Sequence, residues 1–386
     1  MGEPSPAPAA TSRSASPTTT APSVTPSPES PSPSATPSTS SAPDDELAGW
    51  SLAQKVGQLL VVGVSVSDPE PVSARAVRQH HVGNIFLHGR SDAGVAATRD
   101  LVERYTGLVS PRTTRGTPML VATDQEGGKV QVLTGPGFSD IPAATEQATW
   151  PVTTLENRAE RWGTELADAG VNLNLAPVMD LVPRESAADN APVGAFDRSY
   201  GFTAASVSRS AQAFSAGMES ARVAPVIKHF PGLGRVTQNT DGEAGVTDDV
   251  TGPGAPSVRL FADAIDDGAP YVMVATAVYT RIDPDDPAAF SRDVVTGLLR
   301  DHLGFDGVVM TDDVSATAQV QPWTPGERAV RAVDAGVDLV LASADPTVVP
   351  AMADALVAEA RRDPEFAERV DESARRILAA KAALGD

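Results

Sequence analysis

Ionisable side chains gather in this chain at the ends of apolar runs. Pro118–Ala122 is followed by Thr123-Asp124-Gln125-Glu126-Gly127-Gly128-Lys129. Val171–Ala176 is followed by Pro177 and then Asp180, and the same connection later carries Phe196-Asp197-Arg198-Ser199-Tyr200-Gly201. Ala224–Ile227 delivers Lys228 and His229; Phe230, Pro231 and Gly232 then break the element. A polar loop with Arg235, Asn239, Asp241, Glu243, Asp248 and Asp249 comes next. Gly307–Met310 is followed by Thr311-Asp312-Asp313. Such a set suits glycoside hydrolysis, which needs one carboxylate as nucleophile or base and a second group to move a proton. Asp, Lys, Arg and His would hold the sugar hydroxyls. A metal site fits less well, because His229 is the one histidine at a strand terminus in the cluster and no HxH or HExxH spacing exists. Each residue also has an ordinary reading. Asp124 suits a turn, Asp312 or Asp313 a cap for a helix starting at Val314, Arg198 a surface ion pair, and Lys228-His229 a snorkelling pair. Their joint placement at strand ends is what argues for a site.

The elements that must position them repeat. Apolar, β-branched runs at Leu59–Val64, Val82–Leu87, Pro118–Ala122, Val171–Ala176, Ala224–Ile227, Tyr271–Ala275, Gly307–Met310 and Asp338–Leu341 read as buried parallel strands. Helical stretches lie at Ser51–Leu60, Val95–Thr106, Leu155–Ala169, Ala204–Ala221, Val258–Asp267, Val294–His302, Thr324–Ala335, Pro350–Arg361 and Glu365–Ala383. The alternation predicts an α/β fold, a single-domain (β/α)₈ TIM-like barrel over residues 44–386, with its chemistry at the carboxyl ends of the strands. A doubly wound sheet is the competitor. It would show a Gly-rich phosphate loop after the first strand, where this chain has SVSDPEPVSARAV.

Thirty of the first forty-three residues are Pro, Ser or Thr, so residues 1–43 are expected to be a disordered tether that buries too little to offset its ordering entropy. Met1-Gly2 leads straight into this tract. The expectation is an exported protein, secreted or tethered at the cell surface, whose export signal and any lipid-anchoring cysteine have been removed. The 386 residues contain no cysteine, which excludes disulfides, a thiolate nucleophile and cysteine metal sites. A net charge of −20 leaves no basic face for nucleic acid and disfavours an anionic membrane surface. No apolar run is long enough to span a bilayer.

With TDQEGGKVQ, NLNLAPVMDL, FDRSYG, KHFPGLG and FDGVVMTDDVS in this order, the chain resembles glycoside hydrolase family 3, in particular its single-domain branch of β-N-acetylhexosaminidases, over about Leu47 to Leu384. The resemblance implies a retaining β-glycosidase acting as a monomer, without cofactor, on N-acetylglucosaminides from cell-wall material. It implies Asp312 as nucleophile, a structural Asp313, and a sugar grip by Asp124, Arg198, Lys228 and His229. A cation near Asp312 is expected to keep it ionised. The sequence departs from the branch where an Asp-Ser-His triplet, with His as acid/base, is usual: here it has Asn239-Thr240-Asp241. Val132 and Lys129 stand where arginine is common, and Leu233 where histidine is. Asp241, or Glu243 as the alternative, is then the candidate acid/base, provided burial raises its pKa. The other readings are a changed sugar or leaving group, phosphorolysis, and a catalytically silent sugar-binding module.

Overall fold

The computed structural model describes residues 46–385, and the Pro/Ser/Thr-rich stretch 1–43 lies outside them. Ser51 starts the first helix, Leu52–Gln58, with a reciprocal cap. Its hydroxyl accepts from the Gln54 N–H at 3.2 Å, and the Gln54 side chain accepts from the Ser51 N–H at 3.1 Å. The helix hands the chain to the buried strand Leu60–Ser65.

Six strands pair in parallel, in the order Val340–Ala342, Leu60–Ser65, Asn84–His88, Leu120–Thr123, Leu173–Asn174 and Ala224–Pro225. A second parallel sheet orders Val308–Thr311, Tyr271–Val274 and Ile227–Phe230. The chain passes from one sheet to the other at Val226. On the far side the Thr311 N–H donates to Leu339 O at 2.9 Å, in a parallel bridge between Met310 and Leu339. The strands are buried along almost their whole length, which is why they read as continuous apolar runs. Helices pack over them through one apolar face each. Val152–Asp168 and Ala204–Ser220 approach so closely that a Cβ on Gly217 would lie 2.4 Å from Glu156 O, so only glycine fits there.

Three expectations need correction. Lys228 and His229 do not follow a strand Ala224–Ile227. That strand splits at Val226, and both residues lie inside Ile227–Phe230. No helix starts at Val314; a turn follows Asp313, and the next α-helix is Pro325–Ala335. A helix the sequence reading did not name, Pro71–His80, begins within SVSDPEPVSARAV, with a proline at its first position. The stretch at Val294–His302 is helical, over Asp293–His302, but with wider, π-type turns.

Candidate active site

Parallel pairing brings the carboxyl ends of the strands to one side, and the residues there line a cavity of about 210 Å³. Asp124, Arg198, Lys228, His229, Asp241 and Asp312 all contribute to its wall. Glu243 does not: it is exposed in a turn, with its N–H on Asn239 O at 3.0 Å. A larger cleft of about 480 Å³ lies by Gly232, Arg235 and Arg281. No acid or histidine lines it, whereas the ionisable cluster lies in the smaller cavity.

Lys228 is central to the site. Its Nζ lies 2.7 Å from Asp124 Oδ1 and 2.7 Å from Glu126 Oε1. Arg198 grips the same glutamate as a fork, Nε to Oε2 at 2.9 Å and Nη2 to Oε1 at 2.7 Å, while Nη1 donates to Pro192 O at 2.7 Å. Burial alone would raise the Glu126 carboxyl; the Arg198 charge, then Lys228 and the hydrogen bonds from both, outweigh it and hold the group at about 2. Burial likewise opposes the charge on Arg198 and on Lys228. Glu126 overcomes it for the first, Asp124 and then Glu126 for the second, and both cations end above their ordinary values. Arg198 is thus a half-buried partner of buried Glu126, not the surface ion pair of its ordinary reading.

His229 is fixed from behind. Its Nδ1 lies 2.7 Å from Oδ2 of Asp180, a side chain with no exposed surface. The other Asp180 oxygen accepts the Leu233 N–H at 2.7 Å. The Asp180 carboxylate at Nδ1 fixes the ring's orientation, with Nε2 3.4 Å from Arg198 Nη2. Strand alternation would send Lys228 and His229 to opposite faces. Both side chains nevertheless line the cavity.

Asp312 follows the strand Val308–Thr311, its N–H on Val274 O at 3.0 Å and its Oδ1 accepting the Asp313 N–H at 2.7 Å. Burial pushes its carboxyl up to about 6. The nearby charge of His229 opposes that, that of Asp241 adds to it, and the Asp313 N–H and Lys228 oppose it further. The expected help from cations is present, but desolvation wins. Asp313 turns away: its carboxylate accepts Ser315 N–H at 3.1 Å, Ser315 Oγ at 2.6 Å and Ser343 N–H at 2.8 Å, which folds the turn where a helix cap was expected. Asp241 is exposed, so the burial expected of a candidate acid is not there. It is nevertheless well placed. Ala318 N–H donates to Asp241 O at 3.1 Å, Gln319 N–H to Thr240 O at 3.2 Å, and Thr317 Oγ1 to Asp241 Oδ1 at 3.4 Å. These bonds clip the Asp241 loop to the segment that follows Asp312.

Glu126 and Asp180, which hold Arg198, Lys228 and His229 in place, received no role from the sequence. Glu126 had a signal: it stands two residues after Asp124, the spacing that puts two side chains on one face of an extended segment, and Gln125–Gly127 is a short strand. Val132 is buried in the core, and Leu233 lines the cavity. Lys129 lies at the rim, exposed, donating to Ala195 O at 3.0 Å. Among the described residues no group of three or more His, Asp or Glu is arranged to hold a metal ion.

The fold and sequence are similar to those of known proteins. A crystal structure of a β-N-acetylhexosaminidase from Beutenbergia cavernae is 58% identical, with a TM-score of 0.85, covering 86% of this chain and 98% of that one. The β-hexosaminidase LpqI of Mycobacterium tuberculosis is 31% identical over 341 residues, 85% of this chain and 82% of its own length. An uncharacterized secreted glycosyl hydrolase of Arthroderma benhamiae is 31% identical over 277 residues, 70% of this chain and 76% of that protein. The sequence profile of the glycosyl hydrolase family 3 N terminal domain matches residues 51–380. With nearly the whole described region inside that match, the chain belongs to glycosyl hydrolase family 3.

Proposed function

We propose that the protein is a retaining β-N-acetylhexosaminidase that uses Asp312 as nucleophile and Asp241 as acid/base. The observation that carries this reading is two carboxylates, half-buried Asp312 and exposed Asp241, lining a single cavity together with Asp124, Arg198, Lys228 and His229. Asp312 attacks the anomeric carbon and the bond to the leaving oxygen breaks, with a proton from Asp241 going to that oxygen. Water then attacks the anomeric carbon and gives a proton to Asp241, while the bond from that carbon to Asp312 breaks and frees its carboxylate. Asp124, Lys228, Arg198 and His229 hold the non-reducing sugar, with Glu126 and Asp180 keeping the cations and the imidazole in place. The choice of an N-acetylhexosaminide rests on the names of the Beutenbergia and Mycobacterium relatives. Action outside the cytoplasm, on wall-derived material, rests on the secreted Arthroderma relative and on residues 1–43. We read the two sheets as one closed (β/α)₈ barrel, supported by the chain's direct passage from one sheet to the other at Val226 on one side and the Met310–Leu339 bridge on the other.

The test is release of aryl alcohol from activated β-N-acetylglucosaminide, β-glucoside and β-xyloside. Turnover of the first should dominate and fall by at least about three orders of magnitude in Asp312→Asn, the range seen when a nucleophile is removed. Asp241→Asn should slow disaccharides far more than activated aryl substrates, which need little protonation. Equal loss on both would remove Asp241 from the acid/base role. No turnover by the folded wild type would leave a sugar-binding protein.

A further inference from the structure

We propose that Phe196 is the platform for the sugar on the leaving-group side of the scissile bond, so that the natural substrate carries a second pyranose there. This deepens the hydrolase reading and rests on it.

Among the large hydrophobic side chains exposed within the described residues, Phe196 is the one aromatic, with 44% of its surface free. It lines the same cavity as Asp241 and Asp312. Its exposure is built in. The turn Gly194–Phe196 ends on Asp197, which adopts φ 60°, a left-handed conformation uncommon for a residue with a side chain. Buried Asn190 accepts the Gly194 N–H at 2.7 Å, and its amide donates to Leu233 O at 2.8 Å and Val236 O at 2.7 Å. The Phe196 turn is thereby tied to the loop that leads to Asp241. Lys129 Nζ sits over the ring, 5.4 Å from its centroid, and donates to Ala195 O, fixing the ring from one side. A collapsed hydrophobic residue would need none of these restraints.

The ligand follows from depth and size. Lys228 and His229 are almost fully buried, so the sugar they hold lies at the bottom of the cavity. At about 210 Å³ the cavity is smaller than the ~300–1,000 Å³ of pockets that enclose larger ligands. It takes one ring, and the next must lie over the rim. Phe196 and Asp241 are both at that rim, so a ring resting on Phe196 brings the linking oxygen past the acid. An aromatic face binds the C–H face of a pyranose, as aromatic side chains do wherever a flat apolar surface must be held beside water.

The experiment compares wild type, Phe196→Ala and Phe196→Trp on two substrates, a β-1,4-linked N-acetylglucosamine disaccharide and β-N-acetylglucosaminyl fluoride. The fluoride carries no sugar beyond the cleaved bond. The ratio of kcat/KM for the disaccharide to that for the fluoride should drop about five- to tenfold in Phe196→Ala, the size of one aromatic contact, and recover in Phe196→Trp. A ratio equal to wild type in Phe196→Ala overturns the proposal. Calorimetry in the Asp312→Asn background separates this from failure of the hydrolase reading. There the disaccharide should bind more tightly than the monosaccharide, and the added Phe196→Ala change should remove that advantage. An advantage that survives, or disaccharide that does not bind, overturns the platform whether or not the wild type turns over.

Discussion

Asp312 must be an anion to attack, and its surroundings oppose that. Burial raises its carboxyl to about 6, and Asp241 adds to the rise. The ionised fraction therefore grows as pH passes upward through about 6, and kcat/KM, which reports the free enzyme, should fall tenfold per unit below that point. Asp241→Asn removes a neighbouring negative charge, so the acid limb should move to lower pH when followed with the fluoride, a substrate that needs little protonation. A limb that stays in place would mean that the two carboxylates do not sense each other. Glu126 is the opposite case, an acid held at about 2 by Arg198 and Lys228 despite burial. Its stabilising effect is present above its ordinary value of 4.5 and is lost as pH falls toward about 2. Glu126→Gln strands two buried cations, and urea unfolding at pH 7 should show a loss of ~3–5 kcal/mol. A loss no larger than that of an exposed pair, about 1 kcal/mol, would show that Asp124 alone compensates them. The sequence reading named Asp124, Arg198, Lys228 and His229 because ionisable residues at strand ends are visible in one dimension. It gave Glu126 and Asp180 no role, because a side chain that acts through another is recognised only when the pair is seen.

At the scale of elements, the strands were legible because burial on both faces writes an unbroken apolar run. Pro71–His80 was not, because its first turn follows Asp-Pro-Glu and reads as loop until the proline is taken as a helix start. The shift of Lys228 and His229 into their strand has a related cause: charged residues look like a strand end, and here they sit in the middle, satisfied by Asp124, Glu126 and Asp180. The C-terminal helix Pro364–Gly385 carries a buried cation of another kind. Lys381 donates to Gln58 Oε1 at 2.7 Å and to Gly83 O at 3.0 Å, and burial lowers it to about 7. Between about 7 and 10.5 the unfolded chain holds this proton and the folded one does not, so stability rises with pH across that window and its contribution is flat below it. Lys381→Met abolishes the dependence. The variant's stability relative to wild type should be higher at pH 7 than at pH 10 by on the order of 3 kcal/mol. Equal differences at the two values would mean that the folded protein keeps Lys381 charged.

For the whole molecule, the net charge of −20 and the site pull apart under salt. Most carboxylates are on the surface, where like charges repel over distances comparable to the Debye length, about 8 Å at 0.15 M. Adding salt screens that repulsion and should raise the melting temperature. The pairs that order the cavity lie behind the surface, with the Lys228 side chain 3% and the Glu126 side chain 6% exposed, and such pairs are screened much less. A neutral glycoside also gains nothing from long-range steering. Ionic strength raised from about 0.02 to 0.5 M NaCl should therefore lift the melting temperature while kcat/KM on a neutral aryl N-acetylglucosaminide stays within about twofold. If kcat/KM instead fell steeply with salt, the Asp124–Lys228–Glu126–Arg198 network would have to open to solvent during turnover, and the rigid sugar grip would give way to a site assembled on binding.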